Sequence, residues 1–159
     1  MKNFVFILII SFFFCCGHTV SKELREGVDK AITPTDLFKD PDTLKGKTVM
    51  LGGVIASSIN TPEGTYVEVV QKPLDYRERP EDTDISYGRF LILYDGYLDT
   101  AIYSMGREIT VVGEVLGRKL QPLGEIQYPY LLIKSKELYL FEPRRGIPIR
   151  FGIRVWHTF

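Results

Sequence analysis

Few residues in this chain have the types and spacing for covalent or metal chemistry. His18 and His157 are its two histidines, 139 positions apart, and Cys15 and Cys16 are its two cysteines. No His, Cys and carboxylate cluster has metal-ligand spacing, so metal catalysis is not expected and no cofactor is implied. A Ser-His-Asp arrangement would have to use His157, and no Gly-x-Ser-x-Gly elbow is present. Glu78, Glu81, Asp82 and Asp84 supply carboxylates for acid–base work or calcium, but the Asp-x-Asp-x-Asp-Gly pattern is missing. They read better as a solvated loop balanced by Arg77, Arg79 and Arg89. Gly52-Gly53 lacks the Gly-Lys-Ser/Thr ending of a phosphate loop and continues as strand.

The cysteines have a different chemistry open to them. Met1-Lys2-Asn3 carries one positive charge, and Phe4 to Phe14 is an almost unbroken apolar run. A helix needs ~20 apolar residues to cross a bilayer, so the run suits the apolar region of a secretory signal better than a membrane span. It ends at Cys15-Cys16-Gly17, where a lipid-modified cysteine would stand. Cys16 is the better acceptor, because small Cys15 precedes it whereas bulky Phe14 precedes Cys15. A plain secreted protein and an uncleaved anchor are the alternatives.

Aromatic and basic residues raise the question of binding. Tyr66, Tyr87, Phe90 and Tyr94 could stack on bases, but basic residues do not gather around them. The formal net charge is 0, and losing residues 1–15 removes only Lys2, leaving 19 basic against 20 acidic side chains. General attraction to nucleic acid is therefore absent, and no nucleic-acid partner is expected. The tail after Glu142 differs: it holds Arg144, Arg145, Arg150 and Arg154 and no acid. There Ile147, Ile149, Phe151, Ile153 and Val155 alternate with Pro148, Arg150, Gly152, Arg154 and Trp156. That pattern fits an extra edge strand, or contact with membrane or a partner through Arg150, Arg154 and Trp156.

The elements between leader and tail are mostly strands. With 159 residues, 45% hydrophobic, the chain fits one domain with a buried core. Residues 16–33 read as anchor and tether, helical for a turn or two at most. Thr35-Asp36-Leu37-Phe38 predicts a short helix capped by Thr35 or Asp36 and stopped by Pro41, with Leu37, Phe38 and Leu44 closing one end of the core. A first strand is expected from about Lys47 to Ser57, bent at its paired glycines. Asn60-Thr61-Pro62-Glu63-Gly64 then turns the chain. A strand around Val67 and Val69 follows, then the polar loop 72–88 and the strand Phe90 to Tyr94. Asp95 to Tyr103 reads as a turn and a short helical segment. Glu108 to Leu116 and Tyr130 to Phe141 complete the strands, joined by a Gly- and Pro-rich connection, Gly117 to Pro129. The expected fold is mainly β: a small five- to six-stranded OB-like barrel with one or two short helices, with a β-sandwich as the rival.

Several short motifs fall in order along the chain: Gly52-Gly53-Val54-Ile55, the Asn60–Gly64 turn, Gln71-Lys72-Pro73-Leu74-Asp75, Asp82-Thr83-Asp84 and Gly88-Arg89-Phe90-Leu91. Val111-Val112-Gly113-Glu114-Val115 and Pro122-Leu123-Gly124-Glu125-Ile126 continue the order. Together they resemble the Slp family of bacterial outer-membrane lipoproteins. The resemblance spans about Pro34 to Glu142, which sets the expected domain at 34–142, with a signal peptide at 1–15 and a tail at 143–159. It implies an envelope lipoprotein tied to starvation or stress, with no defined reaction. By the same resemblance Gly17 after the cysteine, where an inner-membrane lipoprotein would carry Asp, favours the outer membrane. The expectation is a non-enzymatic protein lipid-anchored at Cys16 and facing the periplasm, which either stabilises the envelope or binds a protein partner there. The alternative is a module binding a small hydrophobic ligand or an oligosaccharide at the barrel mouth or beneath loop 72–88.

Overall fold

The computed structural model describes residues Thr19 to Arg144. Five strands form a closed barrel: β1 (Thr48–Thr61), β2 (Gly64–Lys72), β3 (Arg89–Tyr94), β4 (Glu108–Leu123) and β5 (Ile126–Leu140). Around the barrel the order is β1-β2-β3-β5-β4, with β4 returning to β1. Only the β3–β5 pairing is parallel; the other four are antiparallel. This is the OB-like barrel expected, built from five strands among the described residues.

Closure depends on β1, which pairs with β4 through Thr48–Val54 and with β2 through Gly52–Thr61. Gly52 and Gly53 therefore have neighbours on both sides, where the strand passes from one half of the barrel to the other. A Cβ on Gly53 would overlap the Val70 carbonyl oxygen, a backbone atom that cannot swing away. The bend expected at the paired glycines is a close approach of two backbones.

The interior is one apolar cluster. Val49, Leu51 and Ile55 of β1 meet Val67 and Val69 of β2, Phe90 and Ile92 of β3, Ile109, Val111 and Val115 of β4, and Leu131 and Ile133 of β5. These alternate along their strands, so each strand commits one face to the core. Leu37 is buried in the same cluster, with Phe38 and Leu44 packed beside it, as expected for the closed end. Burying Leu37 is worth roughly 1.5–3 kcal/mol, enough to dock a short helix that would not hold by itself.

Four local expectations change. The helix α2 (Pro34–Lys39) is capped by Thr33, two residues before the earlier of the two caps read from sequence, Thr35 and Asp36. The Thr33 side chain accepts from the Asp36 amide while Asp36 accepts from the Thr33 amide, and Pro34 opens the first turn. Segment Asp95 to Tyr103 makes no helix. The Asp99 carbonyl accepts from the amides of Ile102 and Tyr103, and the turn stops there. Ser58 Oγ and Asn60 Nδ2 of β1 donate to the Tyr103 and Leu98 carbonyls, spreading the segment along β1. The connection Gly117 to Pro129 is strand on both sides of a turn at Gly124. Gly117, at φ 103°, sits at a register shift, and Pro122 and Pro129 pair with Gln127 and Leu120 in a two-stranded arm. Proline is tolerated there because the arm's outer edges need no amide donor. Finally, loop 72–88 does not balance its own charges. Arg79 pairs with Glu108 on β4, Arg89 with Glu68 on β2, and Glu78 with Arg25 of α1 (Lys22–Glu26).

Candidate functional site

The arm formed by the ends of β4 and β5 folds over the outer face of β2 and β3. Leu91, which alternates with the core residues Phe90 and Ile92 of β3, is buried, as is Tyr130 of β5. Tyr130 Oη donates to Glu68 Oε1 at 2.9 Å, Arg89 Nη1 donates to the same oxygen at 2.7 Å, and Ser57 Oγ donates to Oε2 at 3.0 Å. Tyr128 packs edge-on against Tyr130, with ring centroids 4.8 Å apart, and its hydroxyl accepts from the Arg89 amide. Burial pushes the Glu68 carboxyl up, but the donors Arg89, Tyr130 and Ser57 outweigh it and hold the group below its ordinary range. Burial, reinforced by the facing carboxylate, pushes the Tyr130 phenol up to about 12. Glu68 thus stays ionised and Tyr130 stays a donor, and their bond fastens the arm to the barrel.

Where the arm passes the β1–β2 turn a cleft of about 320 Å³ opens, lined by Ile59, Thr61, Pro62, Glu63, Tyr66, Lys119 and Gln121. Tyr66 Oη donates to Glu63 Oε2 and accepts from Lys119 Nζ, both at 2.8 Å. The Lys119 ammonium also lies 4.0 Å from the Tyr66 ring centroid. One wall thus offers an aromatic ring with a cation, a hydroxyl and a carboxylate in a row, while Ile59 and Pro62 add apolar surface. In OB barrels the strand 2–3 face and the loops flanking it hold ligands, and this cleft occupies that place. Its chemistry suits binding by stacking and hydrogen bonds; it brings together no nucleophile with a base.

The candidate residues distribute unevenly. Cys16, Arg150, Arg154 and Trp156 lie outside the described residues, as do His18 and His157. Tyr66 lines the cleft, Tyr87 is exposed, and Phe90 and Tyr94 belong to the core or pack against it. Among the carboxylates, Glu78 holds Arg25, while Glu81 and Asp84 are exposed. No cluster of three metal-ligating side chains occurs among the described residues. Glu68, Tyr130, Lys119 and Gln121 were not marked from sequence. Their one signal was the strand alternation around Glu68, which places a carboxylate on an outer face without naming its partners.

Comparison with known proteins bears on the whole chain. The family model for the outer membrane lipoprotein Slp family matches residues 14–152, a span that takes in both cysteines and every strand of the barrel. The chain belongs to the Slp family. It is 23% identical over 160 residues to the outer membrane protein Slp of Escherichia coli K12, covering 99% of this chain and 76% of that protein. It is 28% identical over 94 residues to the uncharacterized lipoprotein YeaY of the same organism, covering 59% of this chain and 48% of that protein. The chain thus matches about half the length of this second relative. Slp membership makes the chain an outer-membrane lipoprotein, so the barrel and its arm are to be understood as a domain held at that membrane. No helix among the described residues is long and apolar enough to cross it.

Proposed function

We propose that this Slp-family chain is a non-enzymatic module, anchored through a lipid on Cys16 and facing the periplasm, whose arm-side cleft holds an envelope protein partner. The observation that carries the reading is the division of the barrel into a filled interior and an outward cleft. The core cluster occupies the inside, so the binding surface is the mixed wall of Tyr66, Lys119, Glu63 and Ile59. Such a wall suits an extended segment of a partner, which can lay apolar side chains on Ile59 and Pro62 and satisfy polar groups on Lys119 and Gln121. The tail residues Arg150, Arg154 and Trp156 are a further contact in this proposal, and a role under starvation or stress remains the expectation from the resemblance.

A second reading has its own support. A cleft of this volume is at the lower end of small-molecule sites, and an aromatic face beside hydroxyl, carboxylate and ammonium groups is suited to an oligosaccharide. One experiment addresses anchor and cleft together. Intact mass and membrane fractionation of the native protein are compared with Cys16→Ser, and envelope cross-linking is compared between native protein and Lys119→Glu. The expected result is an acylated native protein in the outer membrane, a Cys16→Ser variant without acyl mass, and a cross-linked protein band lost in Lys119→Glu. An unmodified, soluble native protein overturns the anchor. A band unaffected by Lys119→Glu overturns the cleft as the partner site.

A further inference from the structure

The segment that leads from the anchor does not hang free of the barrel. Thr19 Oγ1 donates to the Arg77 carbonyl at 2.7 Å, and Val20 is 3% exposed. The Val20 amide donates to Glu78 Oε2 at 3.2 Å, and Arg25 Nη2 donates back to the Val20 carbonyl at 2.8 Å. Arg25 Nε lies 2.6 Å from Glu78 Oε1, a close charge contact in which the N–H is not aimed along the line of approach. Ser21 Oγ donates to Glu137 Oε2 at 2.7 Å. Residues 19–25 are thus strapped to the wall formed by loop 72–88 and β5.

The strap's holder is itself built for the task. Asp75 Oδ1 accepts from the amides of Arg77 and Arg79, and the Asp75 amide donates to the Arg79 carbonyl, closing a tight tip over residues 75–79. Glu78 sits in that tip at φ 63°, a left-handed conformation that costs a non-glycine residue about 1–2 kcal/mol. Its carbonyl accepts from Thr110 Oγ1 at 2.7 Å, which pins the tip to β4. The backbone turn aims the Glu78 carboxylate at the strap and leaves Tyr76 81% exposed. Arg77 lies over the Tyr76 ring at 5.1 Å and makes no ion pair with another described residue. The two carboxylates that flank it in the tip are already engaged, Asp75 by backbone amides and Glu78 by the strap.

Chain length then sets where this tip can be. Two residues, Gly17 and His18, lie between Cys16 and Thr19, a reach of at most ~11 Å. A bilayer's headgroup region is roughly 5–7 Å deep on each side. A lipid on Cys16 therefore holds the Thr19–Arg77 junction next to the headgroups. An exposed tyrosine and a guanidinium with no ion-pair partner among the described residues stand at that junction, and tyrosine favours the interface while arginine pairs with phosphate. We propose that Tyr76 and Arg77 form a second membrane contact, docking on phospholipid headgroups, and that the Glu78 clamp on residues 19–25 sets the barrel's orientation on the bilayer. This inference rests on the Cys16 anchor proposed above.

The test uses the acylated full chain reconstituted in phosphatidylethanolamine–phosphatidylglycerol vesicles containing a spin-labelled headgroup lipid. Trp156→Phe removes the chain's one tryptophan, and a single reporter is then placed by Tyr76→Trp or, at the far end of β4, by Leu120→Trp. The expected result is flotation of both variants with quenched fluorescence at 76 and not at 120. Adding Glu78→Gly, which suits the positive φ but removes the clamp, should abolish quenching at 76 while flotation persists. Flotation without preferential quenching at 76 overturns the docking and leaves the anchor standing. Quenching at 76 that survives Glu78→Gly overturns the clamp's part in it. A chain with no acyl mass that fails to float overturns the anchor, and the docking falls with it.

Discussion

Replacing Glu68 by glutamine probes the fastening of the arm at a single charge. The carboxylate accepts three hydrogen bonds, from Arg89, Tyr130 and Ser57, and its side chain is 15% exposed. Bonds to a charged group are worth about 1.5–3 kcal/mol, against about 1 for neutral ones. Glutamine keeps one acceptor oxygen but loses the charge and turns the other acceptor into a donor. Arg89, at 34% exposure, recovers part of the loss from water, so the net cost should be about 2 kcal/mol. For a domain of this size that is a fall in Tm of about 6–10 °C. The pH dependence gives the sharper check. The Glu68 pKa is lower in the folded protein than the ordinary 4.5, so its stabilisation is present above that value and is lost as pH falls through the folded value. Thermal melts of native protein and Glu68→Gln should therefore stay separated from neutral pH down to the ordinary glutamate pKa, then converge on further acidification. A separation unchanged into strong acid, or no separation at neutral pH, would refute the claim that an ionised Glu68 holds the arm.

The barrel corner and the buried phenol give two further tests. Gly53→Ala places a methyl group against the Val70 carbonyl and should cost about 3 kcal/mol or more, measured by urea unfolding, whereas an Ala at open Gly106 meets no atom and pays only for its positive φ. Alkaline titration followed by phenolate absorbance should find one tyrosine resisting ionisation to about pH 12, and Tyr130→Phe should remove that late step. Because the Tyr130 pKa is raised on folding, its stabilisation is present below the unfolded value of 10 and is lost as pH rises through about 12.

How much could be read in advance depended on the range of the interaction. Strand alternation, the Pro62–Gly64 turn and the paired glycines of β1 are local signals, and they led to a closed OB-like barrel with its core residues correctly placed. Local signals also misled at Gly117 to Pro129. Glycine and proline there suggested a loop, whereas Gly117 serves a register shift and both prolines sit in the arm. The helix start moved to Thr33 because a capping box is recognised by its reciprocal bond with Asp36, and two adjacent candidates compete for the cap in a bare sequence. The missed site residues share one cause: Lys119 meets Tyr66 across 53 positions and Tyr130 meets Glu68 across 62.

The chain's class is legible without a fold: an apolar leader ending in Cys15-Cys16, a cysteine-free body rich in alternating apolar residues, and the motif order of the Slp family. Those properties follow from composition and from neighbours one to four residues apart. Long-range packing is what brings Tyr130 to Glu68, opens a cleft beside Tyr66 and Lys119, and lets Glu78 strap residues 19–25 to the barrel. Each of these depends on the register between strands distant in sequence, and a shift of one residue would turn Glu68 inward and Val67 out.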